Sequence, residues 1–249
     1  MAKNNQSDRR NINRLLLNSD ASQKYRLDEV MAFAEGFVRM ENVVAVVSDM
    51  QRNSSHIIGG RLGQILGIQG YNSDSTIWEE KILNLMSHSQ QQEKFLAELH
   101  FYNFLRGISV QSKENYHLAA SLTMNMPGGT SIDILHRMFY IYDQTGHKVS
   151  YALCLYGVKP YYFPDGSFIV NSLTGMSERI ATSRAANILS KREAQILGLV
   201  EAGYKSAQIA DALHISVHTV SRHRQEILAK LNVNNSMEAC RIARSLNLI

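Results

Sequence analysis

Apolar positions change period along the chain, and each change marks a different kind of element. Over residues 27–40, Val30, Met31, Ala34, Phe37 and Val38 recur at three- and four-residue spacings, which predicts an amphipathic helix. Residues 43–48 form a β-branched, almost unbroken apolar run. After the turn-forming DMQRNSS a second short strand is predicted over 56–58, ending at Gly59-Gly60. Short helices follow at 61–66 and 77–87, the second with Trp78, Ile82, Leu85 and Met86 on one side. A longer helix is predicted over 91–105, striped by Phe95, Leu99, Tyr102 and Leu105. Three segments rich in aliphatic and aromatic residues come next, 116–126, 131–142 and 148–158. Their short, glycine-bearing connections predict an antiparallel meander.

The last sixty residues return to the helical period. Ser190 and Glu193 stand at capping-box spacing, so a helix begins at Lys191, buries Ile196, Leu199 and Val200, and stops at Gly203. A second helix over 206–213 buries Ile209, Ala210 and Leu213. The turn His214-Ile215 follows, and Ser216 caps a third helix over 217–231. Asn234-Asn235-Ser236 starts a fourth that runs to about residue 246. Two short helices joined by a tight turn have the geometry of a helix-turn-helix. On a wheel of 100° per residue, His218, Ser221, Arg222 and Gln225 share one arc of the third helix. Val217, Val220, Ile227 and Leu231 take the other side. Arg224 falls inside that apolar arc and needs a partner, for which Glu193 is the expected residue. His223, at the border of the arcs, is expected to pack rather than to bind a ligand.

Composition narrows the classes. The chain has 249 residues, 45% of them apolar and 19% charged, and its apolar runs fall far short of the ~18 residues of a spanning helix. The N-terminal MAKNNQSDRRNINR has no secretory apolar core, so the expectation is a cytoplasmic protein with no membrane partner. Cys154 and Cys240 are too few for a disulfide framework or a structural zinc site, and both are expected as buried thiols, with no metal and no cofactor. The net charge of +4 is unevenly placed. From residue 176 onward ten basic residues face six acidic ones, and the rest of the chain is formally neutral. A basic excess confined to a helical tail points toward nucleic acid.

The segment LSKREAQILGLVEAGYKSAQIADALHISVHTVSRHRQEILAKLNVNNSMEACRIA strongly resembles the LuxR-type (GerE-like) four-helix DNA-binding domain. The match runs through Leu189, Arg192, Glu193, Gly203, Ile209-Ala210, Ile215-Ser216, Thr219-Val220, Ile227, Lys230-Leu231 and Val233. Gln208 stands where the family usually has Glu, and Met237-Glu238 replaces a Thr-Gln pair. The resemblance implies a third helix lying in the major groove, with Arg222 and Gln225 reading bases and Ser221 at a position that often does so. Lys205, His218, Thr219 and Lys230 are the candidates for phosphate. It also implies that the fourth helix, with Met237, Cys240, Ile242, Ala243 and Leu246, pairs two subunits on an inverted repeat.

Residues 40–158 resemble a PAS domain, carried by VVAVVSD, LGIQGYNSD, WEEKILNLMSH and YIYDQTGHKVSYALCLYGV. That implies a five-stranded antiparallel sheet beneath helices, serving as a sensor or a dimerisation module. The expected fold class is therefore an α+β PAS-like domain joined to an all-α four-helix LuxR-type domain. The expected organisation is a flexible segment 1–26, the PAS-like domain 27–158, a linker 159–187 with a short strand over 168–171, and the helix-turn-helix domain 188–249. The partners expected are double-stranded DNA and a second copy of the chain, with RNA polymerase and a small-molecule ligand of the N-terminal domain as further candidates. Two alternatives stay open. One is a receptor of the acyl-homoserine-lactone type, although its Trp, Tyr and Asp ligand set is not evident with Trp78 as the only tryptophan. The other is an enzyme with a DNA-targeting tail, for which no P-loop, nucleophile elbow or HExxH motif is found. A phosphorylated receiver domain fits poorly, because the second half of the domain is antiparallel. The expected assignment is a regulator, not an enzyme.

Overall fold

The computed structural model describes residues 24–68, 70–75, 77, 79–180, 188–231, 233, 235–246 and 248–249. The chain divides into two compact units, residues 1–180 and 181–249. Most of the segment expected to be flexible, and Trp78, lie outside the described residues.

The first unit runs α1 (Leu27–Glu41), β1 (Val44–Asp49), β2 (Ser54–Ile58), α2 (Gly60–Ile65), β3 (Tyr71–Asp74), α3 (Glu80–Leu83) and α4 (His88–Arg106). A 3-10 turn (Val110–Asn115) then leads into β4 (Tyr116–Asn125), β5 (Ser131–Tyr142), β6 (Val149–Val158), β7 (Ser167–Asn171) and β8 (Ser177–Ile180). Among the described residues eight strands form one sheet in the order β3-β2-β1-β6-β5-β4-β7-β8, and every pairing is antiparallel.

The expectation of five strands is corrected to eight. The five expected strands stand side by side as β2-β1-β6-β5-β4, and the sheet extends beyond them at both edges. β3 pairs with β2 through residues whose alternation is too short to read from sequence. β7 is the short strand expected over 168–171 within the linker segment, and β8 joins it from the same segment. Asn171 accepts the amide N–H groups of Leu173 and Thr174 and so turns a hairpin out of a Ser/Thr/Gly-bearing run. Residues 181–187 of that segment lie outside the described residues. The helix expected over 77–87 shrinks to the single turn of α3.

Both faces of the sheet are covered where β1 and β6 meet. Val44 and Val46 of β1, with Ala152, Cys154 and Tyr156 of β6, face α2 to α4 and pack on Leu62, Ile82, Ala97, Phe101 and Leu105. Ala45, Val47, Tyr151, Leu153 and Leu155 face the opposite way, against Val30, Ala34 and Val38 of α1. A strand buried on both faces has no polar side to show, which is why β1 and β6 carry continuous apolar runs rather than alternation. On α4 the inner face holds Lys94, Ala97, Phe101 and Leu105, while Phe95 and Tyr102 of the expected stripe are only half-buried. A charged residue therefore sits where the periodicity places a core position.

Candidate nucleic-acid interface

The second unit packs α5 (Lys191–Glu201), α6 (Ser206–Leu213), α7 (Val217–Lys230) and α8 (Ser236–Ser245) around Ile196, Leu197, Ile209, Val220, Ile227, Leu231, Ala239 and Ala243. Its helix ends are closed locally. Ser190 Oγ accepts the Glu193 amide at 3.2 Å while Glu193 Oε2 accepts the Ser190 amide at 2.7 Å, a reciprocal capping box. Past α5, Gly203 takes φ +87°, and the amides of Gly203 and Tyr204 return to the carbonyls of Val200 and Leu199. The turn between α6 and α7 uses the same device with a residue that pays for it sterically: His214 has φ +53°. Ser216 Oγ then accepts the Thr219 amide at 3.0 Å and starts α7.

One side of α7 is fixed inside the unit and the other is open. Val220 and Ile227 are buried, and Arg224 reaches inward, its two terminal nitrogens donating to Ser206 Oγ and Ser236 Oγ at 2.9 Å each. His218, Ser221, Arg222 and Gln225 are exposed together on the opposite side. Val217, expected to pack, stands exposed beside them at the first turn. Ser221 Oγ donates back to the Val217 carbonyl at 3.0 Å. Thr219 is half-buried and shares its hydroxyl with Ser216 at 2.8 Å. Lys205 is exposed at the N-cap of α6, where its amide donates to Gln208 Oε1, so the glutamine at the family's usual Glu position still closes a cap.

Two expectations need correction. Glu193 does not pair with Arg224; Lys230 Nζ takes it instead, at 2.9 and 2.7 Å from the two carboxylate oxygens. Lys230, expected at phosphate, thereby ties α7 to α5. Burial by itself raises the Glu193 carboxyl, and the bonds from Lys230 and Ser190 outweigh it and hold the group below its ordinary range. The apolar surplus expected on α8 is largely consumed within the unit, since Cys240, Ala243 and Leu246 are buried and Met237 alone among those five is fully exposed.

A polar group inside the first unit went unnoticed in the sequence. Lys94 Nζ lies 2.6 Å from Glu98 Oε1 and 3.7 Å from Glu79 Oε2. Tyr156 Oη donates to Glu79 Oε2 at 2.5 Å, and its ring stacks on that of His136 at 4.7 Å. Burial opposes the Lys94 ammonium, but Glu79 and Glu98 outweigh it and raise the group above its ordinary value. Burial, seconded by Lys94, keeps His136 neutral, and burial also drives the Cys154 thiol well up. The available signal was the Lys94–Glu98 pair at i,i+4 on the same helical face as Phe101 and Leu105.

The family described as bacterial regulatory proteins, luxR family, matches residues 187–243. The oxygen regulatory protein NreC of Staphylococcus epidermidis is 36% identical over 84 residues, 32% of this chain and 38% of that protein. NreC of Staphylococcus carnosus is 39% identical over 69 residues, 28% of this chain and 32% of that protein. The chain thus spans about a third of the length of the curated relatives it matches. Among solved structures, the Vibrio cholerae VqmA dimer aligns over 88% of this chain and 87% of its own at 14% identity, with a TM-score of 0.28. The helix-turn-helix at the C-terminus is a domain of the luxR family.

Proposed function

We propose that the chain is a sequence-specific, DNA-binding transcription regulator that docks α7 in the major groove. The observation that carries the reading is the division of α7 into a packed side and a side where His218, Ser221, Arg222 and Gln225 are exposed together, within a luxR-family domain. Arg222 and Gln225 are the base readers, because guanidinium and carboxamide groups match the donor and acceptor edges of guanine and adenine. Ser221 adds a short polar contact at the same face. Lys205, His218 and Thr219 anchor phosphates near helix starts, where backbone amides already favour anions. Two copies bind an inverted repeat, since one helix makes too few contacts for a tight site by itself. The N-terminal unit serves as a PAS-like sensing or dimerisation module, a reading supported by helices stacked on one face of an antiparallel sheet. RNA polymerase is the natural further partner of a promoter-bound regulator, and the whole works in the cytoplasm without catalysis.

Binding-site selection from random duplex DNA, with the full chain and its Arg222→Ala variant, tests this. The wild type enriches a two-fold repeat and the variant loses preference at one or two positions in each half. Failure of the full chain to retain duplex of any sequence at low ionic strength overturns the reading.

A further inference from the structure

We propose that the first unit binds one divalent transition-metal ion of the zinc class through Glu98, His136 and Cys154. The three side chains come from separate elements, α4, β5 and β6. Sheet register brings two of them together: Met138 pairs with Cys154 and His136 with Tyr156, so His136 and Cys154 are diagonal neighbours. Both are fully buried. One ligand atom from each of the three residues lies within 4.8 Å of the others, and Glu98 Oε1 stands 3.8 Å from His136 Nε2. A tetrahedral zinc site with bonds of roughly 2.0–2.3 Å spaces its ligand atoms by roughly 3.3–3.7 Å, so closure needs movements of about 1 Å or less.

A second observation is independent of that spacing. His136 is wholly buried, yet neither ring nitrogen meets a hydrogen-bond partner among the described residues. The Glu98 contact is too long to be a hydrogen bond, and stacking on Tyr156 fixes the ring plane without satisfying either nitrogen. A neutral imidazole with a free lone pair, set beside a thiol and a carboxylate, is the donor set that zinc-class ions prefer over magnesium or calcium.

Glu79 and Glu98 gather at the same place on the inner face of α4, their carboxyl oxygens 3.7 and 2.6 Å from Lys94 Nζ. Binding breaks the Cys154 S–H bond, forms a metal–thiolate bond and releases one proton to solvent. Glu79 enters on strained backbone, at φ +40°, and Tyr156 fixes its carboxylate; such a residue persists only when its surroundings hold it.

The test uses the full chain without DNA, so it stands apart from the proposed transcriptional role. After chelation and dialysis the chain is loaded with Zn²⁺, and with Co²⁺ as a spectroscopic probe. The expected result is one tightly held ion per chain and a near-ultraviolet thiolate-to-cobalt band. Cys154→Ser abolishes the band, His136→Gln weakens retention at least tenfold, and Cys240→Ser changes neither. Retention falls as the pH is lowered, because the thiol must lose its proton. Should Cys154→Ser fail to fold, X-ray absorption of the zinc-loaded wild type decides, by showing or lacking one sulfur with nitrogen and oxygen neighbours. No retained ion, or an ion retained equally well by the Cys154 and His136 variants, overturns the proposal.

Discussion

Lys230 and Glu193, 37 residues apart, join the end of α7 to the start of α5 through contacts of 2.9 and 2.7 Å. The same carboxylate closes the capping box of α5. Its depressed pKa fixes the sign of a pH effect. The unfolded chain protonates this group near pH 4.3 and the folded chain only at lower pH. The stabilisation is therefore present above that range and lost as the pH falls through the folded value. Glu193→Gln keeps an acceptor for the cap and removes the charge. It is expected to cost about 1–2 kcal/mol at pH 7 and much less at pH 3, read by urea unfolding. An equal loss at both pH values contradicts the account.

The ion pair of Lys230 also sets it apart from the cations proposed to face DNA. Lys230→Met is expected to lower stability by about 1–2 kcal/mol while leaving the salt dependence of DNA affinity as it was. Lys205→Ala is expected to do the reverse, reducing the slope of log affinity against log salt by about 1 with little change in stability. Titrations at several salt concentrations distinguish the two. A changed slope for Lys230→Met returns that residue to the interface.

Arg224 holds the first turns of α6 and α8 through Ser206 and Ser236. Arg224→Leu is expected to destabilise the C-terminal unit by about 1–2 kcal/mol, since two half-buried hydroxyls lose their donor. A double-mutant cycle with Ser236→Ala measures the coupling. A coupling energy of zero removes Arg224 from this structural role.

His214 occupies a left-handed conformation while its side chain is exposed. His214→Gly relieves the steric cost at that turn and is expected to stabilise the C-terminal unit by about 1 kcal/mol, or roughly 4–8 °C in Tm for a unit of this size. Calorimetry of the full chain reads the shift, and a lowered transition contradicts it.

His117, on β4, stacks on Phe139 at 4.9 Å and contacts Ser172 Oγ at 2.9 Å. Burial, with Arg137 nearby, lowers its pKa to about 4. The unfolded chain takes up this proton near pH 6.5 and the folded chain does not, so the contribution to stability falls between pH 6.5 and about 4. NMR titration is expected to find the His117 ring still neutral at pH 5. A midpoint near 6.5 removes this source of acid sensitivity.

Local rules reach furthest in the last sixty residues. Ser190, Glu193, Gly203 and Ser216 act on backbone groups only a few positions away, so helix starts and stops are written where they occur. The long strands of the first unit are equally plain, because each carries ten or twelve residues of signal. The four-residue strands β3 and β8 are not; pairing with a neighbour defines them more than composition does.

The chain by itself determined two units, their class of secondary structure, the basic excess of the tail and the exposed arc of α7. Side-chain partnership was decided only in three dimensions. Which acid meets Lys230, which hydroxyls meet Arg224, and how Glu98, His136 and Cys154 converge across α4, β5 and β6 depend on helix packing and strand register. Periodicity says which way a residue faces. It is silent on what stands opposite, because that neighbour comes from a distant part of the chain and is chosen by the packing of the whole core.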